Sequence, residues 1–284
     1  MNNASHLSHQ DRVVLITGGS RGFGWLIAEK LLEAGAKVAL TSSTGGAQLE
    51  TVKEKARTIC SANNCITIKA DVRKWNDCQR TISDTINAFG KIDVLINNAG
   101  RGSREYSIGR NKEKSTKFWD VPIEAWRSVI DTNLTGSFQM TKAVAPHMID
   151  SKFGKIFSIS TSLTTMIGNS LSPYGASKAG LETAHIVWAK ELTEYNIDVN
   201  ILLPGGASDT DFITQAMVPG EVGTRSGKIL PGNVIVPPAL WLCSDMTNGI
   251  TGRRIIAKFW DHEKTPNQAF ENCLQPKHDH PEIM

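Results

Sequence analysis

Val13-Val14-Leu15-Ile16-Thr17-Gly18-Gly19-Ser20-Arg21-Gly22-Phe23-Gly24 is an apolar run that breaks into glycines and leads into a helical pattern from Trp25 to Ala34. Glycines let the backbone turn sharply and approach a pyrophosphate closely, and the N–H groups and positive dipole at a helix start attract the anion. Gly35 ends the helix and Lys37 to Thr41 form a second apolar strand. The stretch therefore reads as strand, helix, strand, the opening unit of a dinucleotide-binding sheet. The T-G-x-x-x-G-x-G spacing differs from the commoner G-x-G-x-x-G, and a plain glycine-rich turn has the same local composition.

The alternation continues along the chain. Strands are expected at 12–17, 37–42, 65–70, 92–97, 154–160, 197–203 and 253–258, mostly apolar on both faces as buried parallel strands are. Helices are expected at 25–34, 47–61, 75–89, 122–150, 173–194 and 234–244. Right-handed crossovers then place helices on both faces of a doubly wound α/β sheet. A chain of 284 residues without a linker suits one domain, here 11–259, with a flexible start at 1–10 and a tail at 260–284. In such sheets the ligand crevice lies outside the carboxyl ends of the strands, where Gly18, Asp71, Asn97, Thr161 and Pro204 fall.

Chemistry enters at Ser172-Pro173-Tyr174-Gly175-Ala176-Ser177-Lys178. Tyr174 and Lys178 share one helix face, so an ammonium stands near a phenol, favours phenolate and is expected to lower the tyrosine pKa. Such a pair is common on exposed helices; its company gives it weight. Asn97-Asn98-Ala99-Gly100 follows the fourth strand, and Asn133 lies within a long helix. With the glycine loop, these motifs occur in one order, and over 11–259 the chain resembles the soluble branch of the short-chain dehydrogenase/reductase family.

The resemblance implies a Rossmann-type fold, a nicotinamide cofactor and hydride transfer to or from a carbonyl or alcohol carbon. It implies that Gly18, Ser20, Arg21, Gly22, Phe23 and Gly24 hold the pyrophosphate end, and that Asp71 and Val72 flank the adenine. Asn98, Ala99 and Gly100 then meet the ribose, and Pro204 and Gly205 border the nicotinamide. Asp71 equally suits a helix cap, and Asn97 or Asn98 a turn. In the implied reaction Tyr174 is the acid or base, and Lys178 tunes it and bonds the nicotinamide ribose. Asn133 holds a water beside Lys178 or bonds a bulge in its own helix.

The family's substrate-orienting serine stands thirteen residues before the tyrosine, which here is Thr161, between Ser160 and Ser162. Threonine keeps the hydroxyl, and a shift of register to either serine stays open. The cofactor is expected to be NADP(H). Ala34 to Leu49 contains no Asp or Glu to accept from an adenosine ribose, Ser42 and Ser43 offer hydroxyls at that corner, and Arg21 suits a 2'-phosphate.

Residues 101–120 form an insertion roughly a dozen residues longer than the family's usual connection, and loops of that length tend to be functional. Tyr106, Phe118 and Trp119 within it hint at a bulky or planar ligand, and its cations at an anionic one. Residues 206–232 occupy the place of the family's substrate lid. The tail reads equally as an arm to a neighbouring subunit or as disorder. Gly175, Ala176, Ala179 and Gly180 leave one helix side smooth, and with the family's habit this suggests a homodimer or homotetramer.

Composition narrows the classes. Hydrophobic content of 40%, 21% charged residues and a formal charge of +3 are ordinary for a globular protein and give no argument for nucleic acid. Cysteines at 60, 65, 78, 243 and 273 lack C-x-x-C spacing and suit reduced thiols in the cytoplasm, with no metal expected. No stretch approaches a membrane span of ~18 apolar residues. The expectation is an NADPH-dependent reductase of a small carbonyl substrate, or the reverse alcohol dehydrogenase. An epimerase, dehydratase or imine reductase on the same framework, or an NADPH-binding sensor without turnover, is the alternative.

Overall fold

The computed structural model describes residues 8–106, 116–210 and 229–277. Seven strands, β1 (Val13–Ile16), β2 (Lys37–Ser42), β3 (Cys65–Lys69), β4 (Val94–Asn97), β5 (Gly154–Ile159), β6 (Ile197–Leu203) and β7 (Arg254–Ile256), form one sheet in the order β3-β2-β1-β4-β5-β6-β7. All six pairings are parallel. The winding direction reverses between β1 and β4, so the crevice opens where the glycine loop and Asn97 leave the sheet.

Alternation along the strands divides the core in two. Val14, Ile16, Leu40, Phe157 and Leu202 point into one layer, while Leu15, Ala39, Leu95, Ile156 and Val199 point into the other. The first layer is closed by α1 (Gly22–Glu33), α2 (Ala47–Ile59), α8 (Val236–Cys243) and α9 (Pro266–Cys273), through Ile27, Val52, Trp241 and Phe270. The second is closed by α3 (Trp75–Phe89), α5 (Gly136–Ser151) and α7 (Ser172–Leu192), through Ile82, Met148 and Ala189. Each fully buried aliphatic side chain contributes about 1.5–3 kcal/mol.

Three sequence expectations are corrected. The long helix expected at 122–150 is α4 (Ile123–Ile130), a π turn at Asp131–Thr135, then α5. The π turn coincides with Asn133, whose side chain is drawn out to partners on other segments. The start is not free from residue 8 onward: His9 is buried and its N–H donates to Ala34 O at 2.8 Å. The tail is part of the body through residue 277. Trp260 stacks edge-on to Trp241 with ring centroids 6.3 Å apart, Phe270 and Cys273 are buried, and Leu274 bridges Ile255 antiparallel at the sheet edge. Apolar residues spaced along 260–274 drive this docking. Finally, two of the small residues of α7, Gly175 and Gly180, are used within the chain. A Cβ on Gly175 would collide with the Met166 carbonyl of α6 (Leu163–Met166), and Gly180 packs against Leu134 of the same chain.

Most of the lid expected at 206–232, namely 211–228, lies outside the described residues, as do 107–115 of the insertion. Among the described residues no helix is long and apolar enough to cross a membrane.

Candidate active site

The glycine loop leaves β1 and is tied directly to the end of β4. The hydroxyl of Thr17 accepts the N–H groups of Asn98 and Ala99, each at 3.0 Å, and the Asn98 amide nitrogen donates to Thr17 O and Gly18 O, each at 2.9 Å. Gly18 adopts φ +64°, and a Cβ there would lie 2.8 Å from Ala99 Cα. A Cβ on Gly24 would lie 2.6 Å from both Asn98 Nδ2 and Gly18 O, so the helix start and the strand end meet without room for a side chain. Gly19 N–H donates to Thr41 O at 2.9 Å, which pins the loop to β2 as well.

This arrangement fits the phosphate end of a dinucleotide. No side chain caps α1 and no acidic residue lies in its first turn, so the N–H groups after Arg21 face outward at the positive end of the helix. Arg21 is exposed and forms no ion pair among the described residues. A groove of about 490 Å³ passes beside the loop, bounded by Ser20, Arg21, Gly22, Gln48, Lys55 and Thr210.

The remaining cofactor candidates divide. Ser42 is buried and its hydroxyl engages Ser20 and Thr44 at 3.3 and 3.0 Å, whereas Ser43 is exposed. Asp71 grips Arg73, with Oδ2 2.6 Å from Nη2, and this bond holds its carboxyl below the usual range despite partial burial. Val72 is buried against Gly136 rather than open to the crevice. The Asn98 amide nitrogen holds the loop. Gly100 is exposed, Ala99 and the half-buried Phe23 back the loop, and Pro204 with Gly205 sits at the end of β6, Pro204 O accepting Lys258 N–H at 3.1 Å.

At the carboxyl end of β5, three consecutive hydroxyls take different partners. Ser160 is buried and donates to Glu182 Oε1 at 2.6 Å, and Ser162 caps α6 by accepting Thr165 N–H. The Thr161 hydroxyl faces the Tyr174 phenol and favours its ionised form. Of the three, Thr161 is the one set beside the tyrosine among the described residues, because alternation along the strand end aims its neighbours elsewhere.

Lys178 is buried one turn along α7, donating to Ile159 O at 2.6 Å with its nitrogen 5.9 Å from the Tyr174 ring centroid. Burial pushes the ammonium down to about 8, partly offset by the Glu182 carboxylate. Burial pushes the Tyr174 phenol up to about 12, with the Thr161 hydroxyl pulling the other way. This reverses the lowered tyrosine expected from the sequence: removal from water outweighs the ammonium, which is directed at a carbonyl.

Asn133 is wholly buried. Its Oδ1 accepts Arg101 N–H at 2.8 Å, and its Nδ2 donates to Arg101 O and Ser177 Oγ, both at 2.9 Å. Both amide hydrogens are taken by protein, so the side-chain nitrogen has none left for a water. It braces the segment after β4 against α7.

Sequence reasoning missed the support beneath these groups. Arg254 on β7 donates through Nε to Glu182 Oε2 at 3.1 Å and through Nη2 to Thr161 O at 3.0 Å. Glu182, four residues after Lys178, carried a visible signal as a same-face pair. Arg254 carried none, since seventy-two residues separate it from Glu182.

Comparison with known proteins agrees with this geometry. The short chain dehydrogenase family model matches residues 12–218. A 3-oxoacyl-[acyl-carrier-protein] reductase of Synechocystis sp. is 36% identical over 195 residues, covering 68% of this chain and 73% of the relative. An NAD-dependent glycerol dehydrogenase of Listeria innocua is 30% identical over 252 residues, covering 87% and 92%. The crystal structure of a Brucella melitensis 3-ketoacyl-(acyl-carrier-protein) reductase complexed with NADH superposes with a TM-score of 0.72 at 26% identity, covering 86% of this chain and 96% of that one. A crevice at the β1/β4 switch point, an uncapped helix over a glycine loop and a half-buried Tyr174 beside a buried Lys178, together with these matches, place the chain in the short-chain dehydrogenase/reductase family of oxidoreductases.

Proposed function

We propose that this protein is an NADPH-dependent carbonyl reductase in which Tyr174 donates the proton. The observation that carries the reading is the Tyr174 phenol, set beside the Thr161 hydroxyl with the buried Lys178 one turn away, and held protonated up to about 12 by its withdrawal from water. A phenol that keeps its proton across the neutral range is a donor rather than a base, which favours reduction over alcohol oxidation. When bound, the nicotinamide supplies the hydride. Thr161 orients the substrate oxygen toward Tyr174, whose proton passes to that oxygen as charge develops on it. Lys178, charged below about 8, stabilises the phenolate left behind and reaches toward the ribose. Asn133 keeps the floor rigid through Arg101 and Ser177.

Preference for NADPH rests on the absence of Asp or Glu from Ala34 to Leu49, on the exposed hydroxyl of Ser43 and on Arg21 standing without an ion pair among the described residues. Ser20, Gly22, Phe23 and Gly24 contribute the helix start, and Gly100, Pro204 and Gly205 the far end of the crevice. A homodimer or homotetramer is part of the same reading. Phe138 on α5 and Val187 on α7, 44% and 47% exposed, are apolar groups that a helix-to-helix partner would cover. The cytoplasm is the compartment proposed, since the five cysteines are free thiols.

The test is a panel of ketones and aldehydes followed through NADPH absorbance, with light scattering of the same sample. The expected result is NADPH oxidation with at least one carbonyl and a mass of two or four chains. Preference for NADH overturns the cofactor assignment. Tight NADPH binding without turnover on any carbonyl overturns the reductase and leaves the sensor.

A further inference from the structure

The insertion carries three aromatics, and the fold separates them. Phe118 and Trp119 are 69% and 68% exposed and lean on each other edge to face, with centroids 5.1 Å apart. Tyr106 is 2% exposed and packs in a small cluster with Ala125 and Val129 of α4, Val121 and Tyr174. The Tyr106 backbone is held by Ser103 O, which accepts its N–H at 3.1 Å, and its carbonyl accepts the Thr116 hydroxyl at 3.2 Å. The side-chain hydroxyl has no hydrogen-bond partner among the described residues.

A buried hydroxyl without a partner is unfavourable compared with phenylalanine, so its retention asks for something to bond. Ala125, Val129 and Val121 have no side-chain acceptor. Tyr174 packs against the same cluster, and no hydroxyl among the described residues partners that of Tyr106. Burial, and then the nearness of Tyr174, push the Tyr106 phenol upward, so it stays a neutral donor throughout the physiological range. Tyr106 and Tyr174 thus share one cluster, and their phenols are near enough to act on each other electrostatically.

We infer that Tyr106 is a substrate-binding residue whose hydroxyl bonds a second oxygen of the substrate, one or two carbons from the carbonyl carbon that is reduced. The inference rests on the carbonyl-reductase reading and deepens it: the substrate class is an oxygenated ketone, such as a β-keto ester or hydroxyketone, rather than a simple one. Selectivity of this kind follows from asymmetry. A simple ketone leaves the buried hydroxyl unpaired in the complex, whereas an oxygenated one satisfies it.

The experiment compares ethyl acetoacetate with 2-hexanone, using wild type and Tyr106→Phe with the nicotinamide cofactor each accepts better. The expected wild-type preference in kcat/KM is for ethyl acetoacetate. In Tyr106→Phe that preference falls about 10–100-fold, mostly through KM, while 2-hexanone is unchanged or improved. A change under about threefold, or an equal fall on both ketones, overturns the inference. Calorimetric titration of the protein saturated with oxidised cofactor gives a readout independent of turnover. The ethyl acetoacetate Kd should weaken by a similar factor in the variant, and absence of binding to wild type overturns the inference. If binding discriminates in this way but nothing is turned over, the reductase reading fails while the Tyr106 site stands. The Phe variant should melt at or above the wild-type temperature; a lower one means that the hydroxyl already has a structural partner, and overturns the inference.

Discussion

The glycine loop is tied to its surroundings through Thr17, Thr41 and Asn98 by neutral hydrogen bonds, and Gly18, Gly19 and Gly24 leave no space for side chains. The floor around Tyr174 is built differently. There the groups are ionisable, buried and displaced from their ordinary pKa values, with Lys178 brought down to about 8 and Tyr174 up to about 12. The first region holds a shape, and neutral bonds with short reach suffice for that. The second holds protons ready to move, which requires keeping titratable groups from water at a cost in stability.

The largest expected effect separates the two regions outright. Tyr174→Phe should lower kcat by about 10³-fold, the scale of a lost general acid, with cofactor affinity by calorimetry unchanged. A comparable loss of affinity would merge the two regions into one. Next, Gly24→Ala should act in the opposite sense. The added methyl has no room beside Asn98 and Gly18 O, so thermal unfolding should show a loss of about 1–3 kcal/mol and cofactor affinity should weaken about tenfold or more, in both oxidised and reduced forms. Unchanged affinity would mean that the loop does not hold the pyrophosphate.

Arg21→Ala sharpens the comparison within the cofactor half. The ratio of kcat/KM with NADPH to that with NADH should drop about tenfold, the scale of one charge-assisted contact, with little change in stability. A constant ratio removes Arg21 from cofactor choice.

The smallest effect concerns pH. Lys178 is active as the acid form, present below about 8 and lost above it, so the reductive rate should be level near neutrality and decline above about 8. Glu182 raises that value. Glu182→Gln should therefore move the declining limb to lower pH and reduce turnover at pH 8 by about two- to fivefold, the scale of one charge–charge contact. A limb that stays in place while the rate falls evenly at all pH values would make Glu182 a structural support only.

All seven strands were legible in the sequence because a parallel sheet buried on both faces needs apolar runs, and those runs stand out between glycine and helix signals. Tyr174, Lys178, Asn133 and the glycine loop were legible for a similar reason: each lies in a short local pattern. The two helices that went unread, α6 and α9, are short and draw their stability from what they pack on, α6 against Gly175 and α9 against Trp241 and its layer. The helical break at Asn133 was unread because the partners that cause it, Arg101 and Ser177, lie thirty-two and forty-four residues away.

By itself the sequence determined the fold class, the places of the strands along the chain and the spacing of Tyr174 and Lys178, since periodicity and turn chemistry act over a few neighbouring residues. Only the tertiary structure decided which of Ser160, Thr161 and Ser162 faces the phenol, which way the tyrosine pKa moves, and which insertion aromatic is buried beside Tyr174. Those outcomes depend on burial and on partners from distant segments, such as Arg254 and Glu182, and no local spacing encodes how far a group is withdrawn from water.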